Sequence, residues 1–303
     1  MTELAQKLSD RVGQGLRGKP EAIELALIAL FSGGHLLIED HPGVGKTLLA
    51  RSLARALDLP FQRVQCTADL LPADIVGAQI YHPRTGELTF RRGPVFASVL
   101  LADELNRTPP RTQSALLECM AERRVTVDRE SHTLPDPFFV IATQNPMTSA
   151  GTYPLPENQL DRFLLRISLG YPDTDNEIAV VAHEDGHRIV DELAPVATAE
   201  DVLAARKEVQ AVRCDRELTA FVVELAQRTR SMPDTVLGVS TRGAQALHRA
   251  CRARAWLHGR DFVVPDDVRA LLVPAWAHRL ATHSGGCPEA LLHETLAETS
   301  LPD

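Results

Sequence analysis

The sequence is short of cysteine. Its five thiols, Cys66, Cys119, Cys214, Cys251 and Cys287, are widely spaced, odd in number and include no Cys-x-x-Cys pair. That pattern excludes a disulfide framework and a zinc knuckle, and leaves buried free thiols as the expected state. Long apolar runs are also missing, since no segment approaches the ~20 apolar residues that a membrane helix needs. The amino terminus, Met1-Thr2-Glu3-Leu4-Ala5-Gln6-Lys7-Leu8, lacks a basic start followed by an apolar stretch, so a cytoplasmic location is expected. Basic charge is in deficit, with 32 Lys and Arg against 40 Asp and Glu and a formal net charge of −8. Neutralising a phosphate backbone normally calls for a basic face, so nucleic acid is disfavoured as a partner, although a local basic channel is compatible with the total. No repeat of fixed period is present, which excludes solenoids and propellers.

What is there is ordinary globular composition, 44% hydrophobic and 24% charged. The 303 residues suffice for a large and a small domain. The first part alternates helices and strands. Glu21 to Leu30 is helical in composition, Ser32-Gly33-Gly34 breaks it, and His35-Leu36-Leu37-Ile38 reads as a buried strand. A helix from Lys46 to Asp58 follows, with Leu48, Leu49, Leu53, Ala56 and Leu57 on one face. Further β-like runs are 61–66, 98–102, 138–142 and 163–167, and Tyr171-Pro172-Asp173 ends the alternation. Strands separated by helices imply a mostly parallel sheet covered on both faces, an α/β fold. After about Asp191 the pattern is helical only, with spans 199–212, 217–230, 241–257 and 266–279. Thr198, Ser240 or Thr241, and Pro265-Asp266-Asp267 supply the starts. The expected division is an α/β domain over 1–190 and a small helical domain over 191–303.

The chemistry is concentrated in one loop and its surroundings. Asp40-His41-Pro42-Gly43-Val44-Gly45-Lys46-Thr47, with Leu48 behind it, follows a strand and opens a helix. In that context glycines let backbone N–H groups curl around phosphate oxygens, Lys46 reaches the β- and γ-phosphates, and the Thr47 hydroxyl completes the coordination of Mg²⁺. ATP or ADP is the expected ligand. The general pattern begins with glycine, and Asp40 stands there instead; its charge is tolerable beside a triphosphate only if it points away. The run 98–102 ends in Asp103-Glu104. Asp103 is expected to hold the metal shell and Glu104 to polarise the attacking water as general base. Alternatively, the two merely open a helix with favourable charges. Asn145, in Thr143-Gln144-Asn145-Pro146, emerges at the same sheet edge if the strands are parallel and could orient the water, or it could simply form a turn. Arg162 is a candidate arginine finger acting on a neighbouring subunit's nucleotide, and Arg242, at a helix start in the second domain, a candidate phosphate contact from that side. Either could instead be a surface ion-pairing residue.

Together these residues resemble the MoxR group of AAA+ ATPases over nearly the whole chain. The resemblance is carried by 34–47, by Thr67-Ala68-Asp69-Leu70-Leu71-Pro72-Ala73-Asp74 and by Gly93-Pro94-Val95-Phe96-Ala97. It continues through Asp103-Glu104-Leu105-Asn106-Arg107, Gln113-Ser114-Ala115-Leu116-Leu117-Glu118, and 151–157 running on to Asp161-Arg162-Phe163. Aspartate at the Asp40 position agrees with that group. The resemblance implies an AAA+ domain with a helical lid and a homo-oligomeric ring, commonly a hexamer, with ATP bound between subunits. It also implies chaperone-like remodelling of a client, with a von Willebrand factor A domain protein as a partner. Two hairpins are implied as insertions, over 79–90 and 124–134. In the second, Asp128-Arg129-Glu130-Ser131 replaces the group's Asp-Gly turn, so a longer turn is expected, with Arg124 and Arg129 either facing a pore or simply solvated. A DNA-directed AAA+ motor and a nucleotide-dependent scaffold without useful turnover stay open; stimulation of turnover by DNA would distinguish the first.

Overall fold

The computed structural model describes residues 1–128, 130–145, 151–182, 186–283 and 286–300, the side chain of residue 187 excepted. In the first part the elements are α1 (Glu3–Gly15), α2 (Pro20–Phe31), β1 (Leu36–Glu39), α3 (Lys46–Ala56), β2 (Phe61–Gln65), α4 (Pro72–Val76), β3 (Gly77–His82) and β4 (Glu87–Arg92). They continue with β5 (Val99–Asp103), α5 (Pro110–Glu122), β6 (Arg124–Val127), β7 (Glu130–Thr133), β8 (Phe139–Gln144), α6 (Glu157–Leu160), β9 (Leu165–Ile167), α7 (Thr174–Ala182) and α8 (Gly186–Glu192).

Five strands form one sheet in the order β2-β5-β8-β1-β9, and each neighbouring pair is parallel. The three inner strands, β5, β8 and β1, read as mainly apolar runs because helices cover both faces, whereas the edge strand β2 is largely exposed. Alternate residues divide between two cores. Leu36, Ile38, Val99, Leu101, Phe139 and Ile141 pack with α1, α2 and α3, while Leu37, Leu100, Ala102, Val140 and Ala142 pack with Leu116, Leu117 and Met120 of α5. Parallel strands bring the loops after β1, β5 and β8 to one edge, where the site lies.

The remainder is helical apart from one short antiparallel pair, β10 with β11, that a helix-only reading did not include: α9 (Ala199–Ala211), α10 (Arg216–Ser231), β10 (Thr235–Leu237), α11 (Thr241–Leu257), α12 (Pro265–Trp276), β11 (Ala281–Thr282) and α13 (Pro288–Ala297). This lid shares its apolar core with α1, α2 and α3, through Val202, Phe221, Leu247 and Trp276. Polar ties add to it, including Thr2 N–H to the Leu257 carbonyl at 2.7 Å and Arg206 Nε to the Leu30 carbonyl at 3.0 Å. Among the described residues no helix is long and apolar enough to cross a membrane.

Three details differ from the sequence reading. Cys66, Cys119 and Cys251 are buried and Cys214 partly so, but Cys287 is exposed, because it caps the outward-facing start of α13. The β6–β7 hairpin pairs Val127 with Glu130, leaving a two-residue turn rather than a longer one. Asp128 takes φ +47°, a left-handed conformation that aspartate accepts more readily than most residues; Arg129 lies outside the described residues. The 79–90 hairpin forms as expected, as β3 and β4 with Thr85-Gly86 in the turn. Finally, α1, α7, α8 and α13 were not anticipated.

Candidate functional site

The loop after β1 is shaped by two left-handed glycines, Gly43 at φ +87° and Gly45 at φ +100°. A side chain at Gly45 would also meet Leu16 Cδ1 at 2.7 Å, so the end of α1 braces the loop from behind. Gly45 caps α3, whose first-turn amides have no intrahelical acceptor and point into the loop's hollow. Val44 is buried beneath, while Pro42, Gly43, Lys46, Thr47 and Leu48 line the cleft and His41 is exposed. Lys46 Nζ donates to the carbonyls of Asp40 at 2.6 Å and His41 at 3.1 Å.

Asp40 points away from this hollow. Its Oδ2 accepts from Ser168 Oγ (2.9 Å) and from the N–H groups of Leu169 and Gly170 (2.7 Å each), and its Oδ1 from the His41 N–H (2.8 Å). Burial opposes its ionisation, but these four donors together hold the carboxyl below its ordinary value. The charge thus fastens the phosphate loop to the chain beyond β9 and is spent on backbone donors, which removes the conflict its position suggests. For Lys46, burial lowers proton affinity, and the carboxylates of Asp40, Asp103 and Glu104 act against that.

Asp103 and Glu104 end β5 in the same cleft of about 290 Å³, with Lys46, Thr47, Asn145 and Arg63. Asp103 Oδ1 accepts from the Thr143 hydroxyl at 2.7 Å and Oδ2 from Arg63 Nη2 at 2.6 Å. Glu104 sits at φ 59°, ψ 48°, a strained conformation for a non-glycine residue, held by its N–H donating to Thr143 Oγ1 at 2.8 Å. Gln65 Nε2 (3.3 Å) and Arg107 Nε (3.1 Å) both approach Glu104 Oε2. Asn145 emerges beside them, its carbonyl accepting from Asn106 Nδ2 at 3.3 Å. Thr143 and Arg63 were missed in the sequence. Thr143 had a signal, a fully buried hydroxyl residue ending an apolar strand; Arg63 had only its place in β2, beside β5 in the fold.

The two arginines lie elsewhere. Arg162 and Arg242 line a separate cavity of about 890 Å³ at the amino-terminal end of β1, with Gly34, His35 and Arg279, whereas the phosphate loop follows the carboxyl end. The larger cavity is therefore not the phosphate cleft. Arg162 Nη1 donates to the Leu117 carbonyl at 2.9 Å, and its buried Nε has no partner among the described residues. Arg242 is exposed and approaches Asp161 Oδ2 at 3.8 Å. Arg242 thus stands beside Arg162 rather than over the loop of its own chain.

Residues 35–165 match the ATPase family associated with various cellular activities (AAA), and residues 227–298 an AAA lid domain. The chain is 44% identical to the uncharacterized protein YeaC of Bacillus subtilis, over 99% of its length and 95% of that protein's. It is 36% identical to the chaperone MoxR1 of Mycobacterium tuberculosis, over 94% of the chain and 79% of the relative. With protein MoxR of Methylorubrum extorquens the identity is 32%, over 92% and 88%. The crystal structure of a candidate ATPase from Cytophaga hutchinsonii superposes with a TM-score of 0.91 at 35% identity, covering 99% of this chain and 96% of that one.

Proposed function

The chain belongs to the MoxR group of AAA+ ATPases, and on that premise we propose that it binds ATP with Mg²⁺ beneath the phosphate loop and hydrolyses it between neighbouring subunits of a ring. The observation that carries this reading is the separation of the polar groups. Lys46, Thr47, Asp103, Glu104 and Asn145 share one cleft, while Arg162 and Arg242 line another cavity at the opposite end of β1. A head-to-tail ring, in which one copy's arginine face meets the next copy's loop, would unite them.

In this reading the loop amides and Lys46 hold the β- and γ-phosphates, Lys46 exchanging its two carbonyl acceptors for phosphate oxygens. Thr47 and Asp103 fit a magnesium ion, because a hydroxyl and a carboxylate, with phosphates and water supplying the rest, are the donor set that ion takes. The Arg63 guanidinium already seated on Asp103 Oδ2 supports a carboxylate built to carry a cation. When bound, the metal neutralises charge on the β- and γ-oxygens. Glu104 accepts a proton from water as the water oxygen bonds to the γ-phosphorus and the bond to the ADP oxygen breaks. Asn145 orients that water. Arg162 and Arg242 of the adjoining copy neutralise the charge on the departing phosphoryl group.

We take the ring to be a hexamer and the output to be chaperone-like remodelling or activation of a client protein, with a von Willebrand factor A domain protein as the partner class. The name of the relative MoxR1 supports the chaperone part. The division between ATPase domain and lid we place at 190/191, inside the last turn of α8, although the packing of α8 against α1 and α3 favours a boundary just after Glu192. The test is Glu104→Gln, expected to bind ATP normally while turnover falls about 100-fold or more. Unchanged turnover removes Glu104 from the role of base.

A further inference from the structure

At the amino-terminal side of β1, between the end of α2, the end of α5, and helices α9 and α11, lies a cavity of about 460 Å³. Its charged lining is Arg123, Arg206, Lys207, Arg249 and Arg252 against one carboxylate, Asp136. The chain as a whole carries −8, so an excess of four cations around one small space runs against its overall balance. The single carboxylate is already shared, with Arg206 Nη1 at 3.0 Å and Arg123 Nη1 at 3.9 Å from the same oxygen.

Arg123 Nη2 donates to the Gly33 carbonyl at 3.2 Å, but several other donors are unspent. Arg206 is 8% exposed, and while its Nε reaches the Leu30 carbonyl, its buried Nη2 has no partner among the described residues. Arg252 Nη1 donates to the Gln210 carbonyl at 3.3 Å, but its buried Nε is likewise without a partner. The Arg249 and Lys207 side chains make no hydrogen bond or ion pair among the described residues. Burial lowers the proton affinity of the Arg206 guanidinium to about 10, and burial followed by the field of Arg123 lowers that of Arg249. Crowded, partly desolvated cations are destabilising unless an anion joins them.

We propose that this cavity, which shares Gly33, Arg123 and Arg249 with the arginine-lined cavity beside it, is a second anion site, for a compact polyphosphate group, separate from the nucleotide cleft of its own chain. Several features point to that chemistry. Planar guanidinium groups match phosphate oxygens two at a time. The volume lies within the ~300–1,000 Å³ of small-molecule sites. Phe31, Leu203 and Val209 supply apolar wall, which strengthens each charge interaction. An acidic peptide spreads its carboxylates at ~3.3–3.6 Å per residue on alternating sides, whereas a polyphosphate concentrates the same charge in one short chain.

The test is calorimetric titration of tripolyphosphate, and separately ATP, into the full chain carrying Lys46→Ala, which disables the phosphate loop. Two further pairs of substitutions are compared in that background. Lys207→Gln with Arg252→Gln alters this cavity only, and Arg162→Gln with Arg242→Gln alters only the adjoining one. All are exposed or half-buried residues, and unchanged melting temperatures verify folding. Tripolyphosphate is expected to bind the Lys46→Ala chain and to lose at least tenfold in affinity with the first pair but not the second. If ATP follows the same pattern the source is a nucleotide, and if only tripolyphosphate does the source is free polyphosphate; both uphold the site. No binding to the Lys46→Ala chain, or equal losses in both pairs, overturns it.

Discussion

Arg279 is 4% exposed and satisfies its guanidinium almost entirely across the seam between lid and sheet. Its Nε donates to Asp161 Oδ1 at 2.7 Å, its Nη2 to the Phe163 carbonyl at 2.6 Å and its Nη1 to the Leu164 carbonyl at 3.2 Å. Arg279→Ala would take a donor from both carbonyls, leaving that of Phe163 to His278 Nε2 at 3.1 Å, and would leave the Asp161 carboxylate with Arg242 at 3.8 Å. It is expected to cost about 3 kcal/mol in urea unfolding; a change below ~1 kcal/mol would show the pair to be incidental. His35 is buried with Nδ1 accepting from the Val140 N–H at 3.1 Å and Nε2 donating to the Met120 carbonyl at 3.2 Å. Burial, reinforced by nearby arginines, pushes its imidazole down to about 4. The unfolded chain takes up this proton below ~6.5 and the folded chain only near 4, so stability is full above ~6.5 and is lost as pH falls toward 4, by about 3 kcal/mol for this group. His35→Gln is expected to flatten the decline between pH 7 and 5, and an identical slope would exclude His35 as its source. At this scale the sequence exposed the residues bound to a motif, including the need for Asp40 to turn away. It could not expose Arg63, whose partner Asp103 lies 40 positions distant, while the hydroxyl of Thr143 near the end of an apolar strand was a signal passed over.

Between elements, the most specific contact is a clasp joining the two hairpins. Phe90 of β4 stacks on His132 of β7 at 4.2 Å and 12°, and Phe96 meets Phe90 edge-on at 5.8 Å and His132 at 6.5 Å. Hairpins from separate insertions are thereby held as one unit, so a push on either reaches the other. A double-mutant cycle with Phe90→Ala and His132→Ala is expected to give a coupling of ~0.5–1.5 kcal/mol in thermal unfolding; additive losses would dissolve the clasp. The elements legible in the sequence were those with a period or a run. The apolar strands, α2, α3 and α9 through α12 match their expected positions within a few residues. Of the missed helices, α7 has no buried residue to give a pattern, whereas α1 buries Ala5, Leu8, Val12 and Gly15 at helical spacing, a legible pattern that went unread. The hairpin turn was misjudged because charge in Asp128-Arg129 was read as length, when strand pairing up to Glu130 left no room for more.

For the whole molecule, the sequence named the loop, the acidic pair, Asn145 and the two arginines, but neither Arg63 and Thr143 nor the distance between the two cavities. Arg162 was expected to act on a neighbouring subunit's nucleotide and Arg242 to reach the phosphates from the lid side; the fold places both at the other end of β1. In the proposed ring, that separation would let both arginines face the phosphate loop of a neighbouring copy. Mixing chains carrying Lys46→Ala with chains carrying Arg162→Ala tests this most directly. Each preparation alone is expected to be inactive, while an equimolar mixture regains about a quarter of the wild-type turnover, the fraction of interfaces in a random ring that join an intact loop to an intact arginine. A mixture no more active than its two components would contradict the shared site.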